Sequence, residues 1–224
     1  SGLAGVYAPM TMALADVDSN GTLDLYVTNN RPSDIRDEGS ITLRRVGGKL
    51  VIPAKYRNRL IVSGGIVKEY GSADFLFLND GKAIFRKSSW TEGRFLTPQG
   101  EPLSDAPLDW GLSAAFHDIN HDGLPDLYVC NDFWTPDRFW INQGDAFKLL
   151  DPEKFGKTSA SSMGVDFSDY DRDGDVDLFV VDMLSRDLEM RKRQAPAQDL
   201  SDRLVNQGKY ADQVMRNTLL NNRG

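Results

Sequence analysis

Short apolar runs, separated by breaks rich in Asp, Asn and Gly, recur along this chain. Three of them follow the same acidic segment. Ala15–Val27, His117–Val129 and Ser168–Val180 align without gaps, and their first aspartates stand at 16, 118 and 169. The intervals of 102 and 51 define a unit of about 50 residues, the first copy being stretched by an insertion. Each acidic segment leads into an apolar strand: Leu25-Tyr26-Val27-Thr28, Leu127-Tyr128-Val129-Cys130 and Leu178-Phe179-Val180-Val181. A polar break follows at Asn29-Asn30, Asn131-Asp132 and Asp182. A later strand ends in a tight turn, in Phe75–Gly81, Phe139–Gly144 and Thr218–Gly224. Asn and Gly tolerate the positive φ that such hairpin turns require. A further strand follows twice, at Ala83-Ile84-Phe85 and Ala146–Leu149, and the third copy stops at its turn.

Strand, acidic loop, strand, connection, strand, tight turn, strand is the order of a propeller blade. The pattern predicts an all-β chain: a β-propeller segment of about three four-stranded antiparallel blades, forming one partial propeller over 1–224. Blade 1 is expected at about 10–86 with an insertion at 31–73, and blade 2 at about 111–150. Blade 3 is expected at about 162–224, with an insertion at 183–216 and its last strand missing. The first insertion reads as β-rich, with hairpins around Gly47-Gly48 and Gly64-Gly65 and a polar stretch from Pro53 to Arg59. The second reads as mainly helical, over Leu184–Arg193 and Leu200–Met215, with a break near Pro196. Insertions of this kind decorate one face of a repeat scaffold and are the expected seat of its specific function.

Each acidic loop places oxygen-bearing side chains at positions 1, 3, 5 and 9 and glycine at position 6. These are Asp16, Asp18, Asn20, Gly21 and Asp24; then Asp118, Asn120, Asp122, Gly123 and Asp126; then Asp169, Asp171, Asp173, Gly174 and Asp177. Position 7 (Thr22, Leu124, Asp175) varies freely, as expected if it offers only its carbonyl. Calcium, a hard cation that takes six to eight oxygens at about 2.3–2.6 Å, suits such a loop better than magnesium with its strict octahedron. An EF-hand would carry a bidentate Glu at position 12; here that position is Val27, Val129 and Val180. The loops are therefore expected to join strands, with the position-9 aspartate closing the shell. About three calcium ions are expected, held weakly, at about 10⁻⁴–10⁻³ M as in extracellular modules. Asp175 is expected to face solvent.

Charge supports this reading. The formal net charge is −7, and eleven carboxylates lie in the three loops, so three divalent cations would leave −1. An acidic chain is a poor nucleic-acid ligand. Cys130 is the only cysteine, which excludes an intrachain disulfide, and its apolar flank marks it as a buried hydrophobe. No apolar stretch approaches the roughly 18 residues of a membrane span. The only histidines, His117 and His121, flank or lie within loop 2 and make a poor basis for a catalytic triad. Outside the loops Asp132, Asp137 and Asp182 are the acids to watch for carboxylate catalysis, with turn capping as their plainer role. The aromatic run Phe133–Trp140 is expected to pack between blades. The basic stretch Arg186–Arg193 is expected to be a solvated helix.

The runs Phe116–Leu127 and Ser162–Asp175, with Arg216–Asn222, resemble FG-GAP/VCBS repeats. The run Met163-Gly164-Val165-Asp166-Phe167-Ser168-Asp169-Tyr170-Asp171 is similar to the branch related to cartilage acidic protein, often joined to an ASPIC/UnbV module. No such module is visible here. The resemblance implies a calcium-bound propeller of secreted or cell-surface proteins, used mostly for binding and adhesion, with the remaining blades in the full-length chain. The expected function is a non-enzymatic interaction module for a protein or carbohydrate ligand, outside the cytoplasm. The alternative is a propeller-based enzyme acting on polysaccharide.

Overall fold

Buried backbone polar groups must be paired, and short apolar runs achieve this only by laddering with neighbours. The computed structural model describes residues 2–3, 8–31, 35–63, 65–132, 135–183, 185, 187, 189–190 and 213–223. In chain order the first repeat contributes β1 (Pro9–Ala15) and β2 (Asp24–Asn29). Its insertion holds β3 (Arg44–Val46), β4 (Lys49–Val51), β5 (Leu60–Ser63) and β6 (Ile66–Glu69), and the repeat resumes with β7 (Phe75–Asn79) and β8 (Phe85–Lys87). A short β9 (Phe95–Leu96) precedes the second repeat: β10 (Gly111–His117), β11 (Asp126–Asn131), β12 (Arg138–Asn142) and β13 (Phe147–Leu149). After the helical turn α1 (Pro152–Phe155) come β14 (Thr158–Ser159), β15 (Ser162–Ser168), β16 (Asp177–Asp182), β17 (Gln213–Val214) and β18 (Thr218–Leu220).

The fold is all-β. Three repeat sheets run β1-β2-β7-β8, β10-β11-β12-β13-β9 and β15-β16-β18. Every pairing within them is antiparallel except that of β9 with β13. The insertion at 31–73 forms the two expected hairpins, β3–β4 around Gly47-Gly48 and β5–β6 with Gly65 in its turn, with a 3₁₀ turn at Ala54–Tyr56; Gly64 lies outside the described residues. The second insertion departs from expectation at its end. Gln213–Val214 is strand, not helix, because it pairs in parallel with Thr158–Ser159, and the Ala160 N–H extends the pairing to the Val214 carbonyl. Within the first expected helix Glu189–Met190 is helical while Ser185 and Asp187 are not, and within the second Met215 is a bend; the remaining positions of both expected helices, 184, 186, 188, 191–193 and 200–212, lie outside the described residues.

The sheets stack face to face, with β10 lying against β1 on one side and β15 on the other. Strands β2 and β11 are buried on both faces, so they read as continuous apolar runs with no alternation. Tyr26 and Leu76 of the first sheet meet Leu127, Val129 and Trp140 of the second, with Trp90, Phe95 and Phe147 filling the outer part. Tyr128, Cys130 and Phe139 of the second sheet meet Leu178 and Val180 of the third. Phe179 and Leu219 stand at the matching place on the third sheet and are 44% and 43% exposed. The aromatic run behaves as expected where described: Phe139 and Trp140 are buried between sheets, while Phe133 and Trp134 lie outside the described residues.

The first insertion is tied to the second repeat. Glu69 accepts from Arg31 and Arg59, and the Trp110 indole N–H donates to the Glu69 carbonyl. The chain then passes so close to β10 that a Cβ on Gly71 would lie 1.6 Å from the Asp109 carbonyl oxygen. Gly71→Ala is therefore expected to cost about 1–3 kcal/mol as backbone shifts to relieve the overlap. A fall in the urea midpoint at unchanged slope checks it; an unchanged midpoint contradicts the close approach.

Candidate metal centres

The three acidic loops share one geometry. The first aspartate accepts from the backbone at positions 5 and 6: Asp16 from Asn20 and Gly21, Asp118 from Asp122 and Gly123, Asp169 from Asp173 and Gly174. The position-5 side chain accepts from the N–H of position 7, in Asn20–Thr22, Asp122–Leu124 and Asp173–Asp175. Position 3 accepts from the position-5 amide in loops 1 and 2, through Asp18 and Asn120, whereas Asp171 in loop 3 accepts from the Asn221 amide group. Glycine at position 6 has φ of 83°, 86° and 98° in the three loops, so the sharp turn expected there is present. Position 4 is left-handed too, at Ser19, His121 and Arg172, with φ of 57°, 58° and 63°. No Gly or Asn marks that position, so this strain was invisible in the sequence; it costs roughly 1–2 kcal/mol per residue.

The position-9 aspartate has a structural role beyond the shell it was expected to close. Asp24, Asp126 and Asp177 are 0%, 1% and 1% exposed. Each accepts the position-2 N–H of its own loop (Val17, Ile119, Tyr170) on one oxygen and the turn amide of its third strand (Asn79, Asn142, Asn222) on the other. Burial pushes the carboxyl of Asp24 up, and that of Asp126 up to about 6, against the lowering effect of the backbone donors; neighbouring loop carboxylates add to the rise. The turn asparagine then reaches across to the preceding repeat. Asn142 donates to the Val17 carbonyl and Asn222 to the Ile119 carbonyl. Loop, third strand and neighbouring sheet are thus one hydrogen-bonded unit.

Oxygens of Asp16, Asp18 and Asp24 lie within 4.8 Å of one another, as do those of Asp169, Asp171 and Asp177. In loop 2 Asn120 replaces one carboxylate, and its amide donates to Asp122 at 2.9 Å. Of the position-7 residues, Thr22 donates its hydroxyl to Asn20 and to the Asn79 carbonyl. Asp175 is half-buried, not fully solvent-facing, and stands 3.9 Å from His121 Nε2. His117 stacks on Phe167 with ring centroids 5.1 Å apart.

The acids outside the loops are bound into the frame. Asp137 accepts from Tyr128 Oη, the Asn131 N–H and Ser162 Oγ, wholly buried between the second and third sheets. Asp182 accepts from Ser159 Oγ and from the Ala160 and Ser161 amides, and Asp132 is buried. The residue that sequence reasoning missed is Asp74. It repeats the Asp137 arrangement between the first and second sheets, accepting from Tyr26 Oη and the Asn29 N–H. Its signal was present: Asp74, Asp137 and Asn217 each stand two residues before the apolar partner of Tyr26, Tyr128 or Phe179. Among the described residues, a groove of about 590 Å³ between the second and third repeats is lined by one carboxylate, that of Asp175.

Residues 118–180 match the family model described as FG-GAP-like repeat, a span running from loop 2 into β16. The match supports the FG-GAP family, in keeping with the all-β sheets and repeated loops. No curated protein matches the chain. No described helix is long and apolar enough to cross a membrane.

Proposed function

We propose that this chain is a calcium-binding, propeller-type interaction module that acts without catalysis outside the cytoplasm. The observation that carries the reading is the convergence of three carboxylate oxygens within 4.8 Å in loops 1 and 3. Three negative groups so close repel one another unless a cation joins them, and hard oxygen donors on a flexible loop favour calcium. The side chains at positions 1, 3, 5 and 9 are the donors, with the carbonyls of Thr22, Leu124 and Asp175. Carboxylate oxygens that already accept an N–H keep lone pairs for a metal. The stacking of the three sheets, and the exposed Phe179–Leu219 pair where the other sheets are covered, support a propeller in which a further sheet packs against β16 and β18. The Met163–Asp171 run favours the branch related to cartilage acidic protein. A protein or carbohydrate is the ligand class that suits such a scaffold.

Calcium fixes the loops and, through Val17, Ile119 and the turn asparagines, the contact between sheets. Binding to the folded state alone adds about 2.7 kcal/mol at a hundredfold excess over Kd. The melting midpoint is expected to rise with calcium concentration and fall with chelator. Equal midpoints, with no metal found in the dialysed protein by mass spectrometry, would sink the reading.

A further inference from the structure

The insertion at 31–73 carries charge of the opposite sign to the rest of the chain. It holds nine Lys and Arg against four Asp and Glu, so it stands at +5 and the remainder at −12 within the net −7. Two of its four acids are engaged at its base, where Glu38 pairs with Lys55 and Arg59, and Glu69 with Arg31 and Arg59. The basic side chains of the β3–β4 hairpin are left over. Its strands meet at Gly47-Gly48, whose φ values of 57° and 79° are those of a two-residue turn matched to strand twist. Arg44 stands opposite Val51, and Val46 opposite Lys49, so these four side chains share one face. Val46 is 65% and Val51 41% exposed, and Arg44 and Lys49 are exposed beside them. Thr42 and Pro53 continue the alternation, and with Arg44, Val46 and Val51 they line a groove of about 480 Å³. Among the described residues neither Arg44 nor Lys49 meets a carboxylate.

We propose that this face docks an extended acidic peptide, with glutamates at two alternate positions and an apolar residue at the next. The proposal rests on the interaction-module reading above and names the partner. Each rung of the hairpin sets one cation beside one valine. A glutamate laid across a rung packs its methylenes on the valine and carries its carboxylate to the neighbouring cation. Arg44 and Lys49 lie on a diagonal of the ladder, roughly 7–8 Å apart at the backbone. Alternate side chains of an extended peptide repeat at about 6.6 Å, so two glutamates separated by one residue meet both cations. The next alternate position falls on Thr42 and Pro53, where an apolar side chain covers the proline. A sulfated glycan needs cations alone and gains nothing from Val46 and Val51, whose exposure among charges marks a protein contact. Exposed ion pairs are individually weak, so Arg44 and Lys49 select for acidic chains while the valines and Pro53 supply apolar area.

The probe is a fluorescein-labelled peptide, Phe-Thr-Glu-Thr-Glu-Thr-Phe, whose symmetry lets it dock in either direction. It is titrated with the chain in calcium-containing buffer and read by anisotropy. Saturable binding is expected, weakened about tenfold by Arg44→Glu with Lys49→Glu and several-fold by Val46→Ser with Val51→Ser. A peptide with Lys in place of both Glu should prefer the charge-reversed variant to the parent, which shows that the variant keeps its fold. No binding to the parent, or equal binding by parent and both variants, overturns the proposal. Tighter binding of a sulfated oligosaccharide or of anionic phospholipid vesicles, unaffected by the valine substitutions, overturns it by making the face a general polyanion site. Self-association of the parent in sedimentation, abolished by the charge reversal, assigns the face to a second copy and overturns it too. The response of the melting midpoint to calcium is read on the same samples, so a failure of peptide binding alone leaves the metal reading untouched.

Discussion

Asp126→Ala is expected to destabilise the chain by about 2–5 kcal/mol, as two buried N–H groups, those of Ile119 and Asn142, lose their acceptor. The damage spreads because Asn142 also holds the Val17 carbonyl of the first repeat. Asp126→Asn keeps one acceptor oxygen and should lose roughly half as much. The informative comparison is made in chelator. If Asp126 acted only as a metal ligand, its removal would cost nothing without calcium. If it is the latch that the geometry describes, most of the loss persists. Urea titration of both variants, with and without calcium, separates the two, and a loss seen only with calcium would refute the latch.

The loops were the most legible part of the chain because their requirements are local. A tight turn that gathers oxygens needs Asp or Asn at alternate positions and Gly at the bend, and these residues are read directly. The strands after the loops were legible for the same reason, since Leu25–Thr28 and Leu127–Cys130 are buried on both faces and carry no polar residue but Thr28 and the tyrosine hydroxyls. What the sequence hid was the long-range pairing. β9 joins β13 in parallel across some fifty residues, and β17 joins β14 in the same way. Two-residue strands have no periodicity to read. Their pairing is decided by which edge lies nearby once the repeats have stacked. The dual role of position 9 was hidden likewise: an aspartate that binds metal and one that pins two amides are the same letter. Asp74 was overlooked because it sits in a connection of irregular length, with the first insertion separating it from Tyr26.

The buried Asp–Tyr pairs predict an unusual pH dependence. Burial pushes the Asp74 carboxyl up to about 8 and that of Asp137 up to about 7, against the lowering effect of the hydrogen bonds each accepts. Asp109 also raises Asp74, while Arg138, paired with Asp109, lowers it. In the unfolded chain both groups ionise near 3.8. Between roughly pH 4 and pH 8 the folded state therefore holds protons that the unfolded state has released, and stability falls as pH rises through that window. The contribution is complete below about pH 4 and lost once both carboxyls ionise in the fold. The third repeat already shows a neutral form of the arrangement. Asn217 stands where the aspartates do, accepting the Asp182 N–H, and Phe179 replaces the tyrosine. Asp74→Asn copies it: the amide oxygen can accept from Asn29 while the amide nitrogen donates to Tyr26 Oη. The variant should match the parent near pH 5 and exceed it by several kcal/mol near pH 8, since each tenfold difference in proton affinity between folded and unfolded chain is worth about 1.4 kcal/mol. Denaturant titrations at the two pH values, both with saturating calcium, measure the difference. Parallel loss of stability in parent and variant would show that Asp74 is ionised in the fold throughout, with its charge held by the Asn29 and Tyr26 donors.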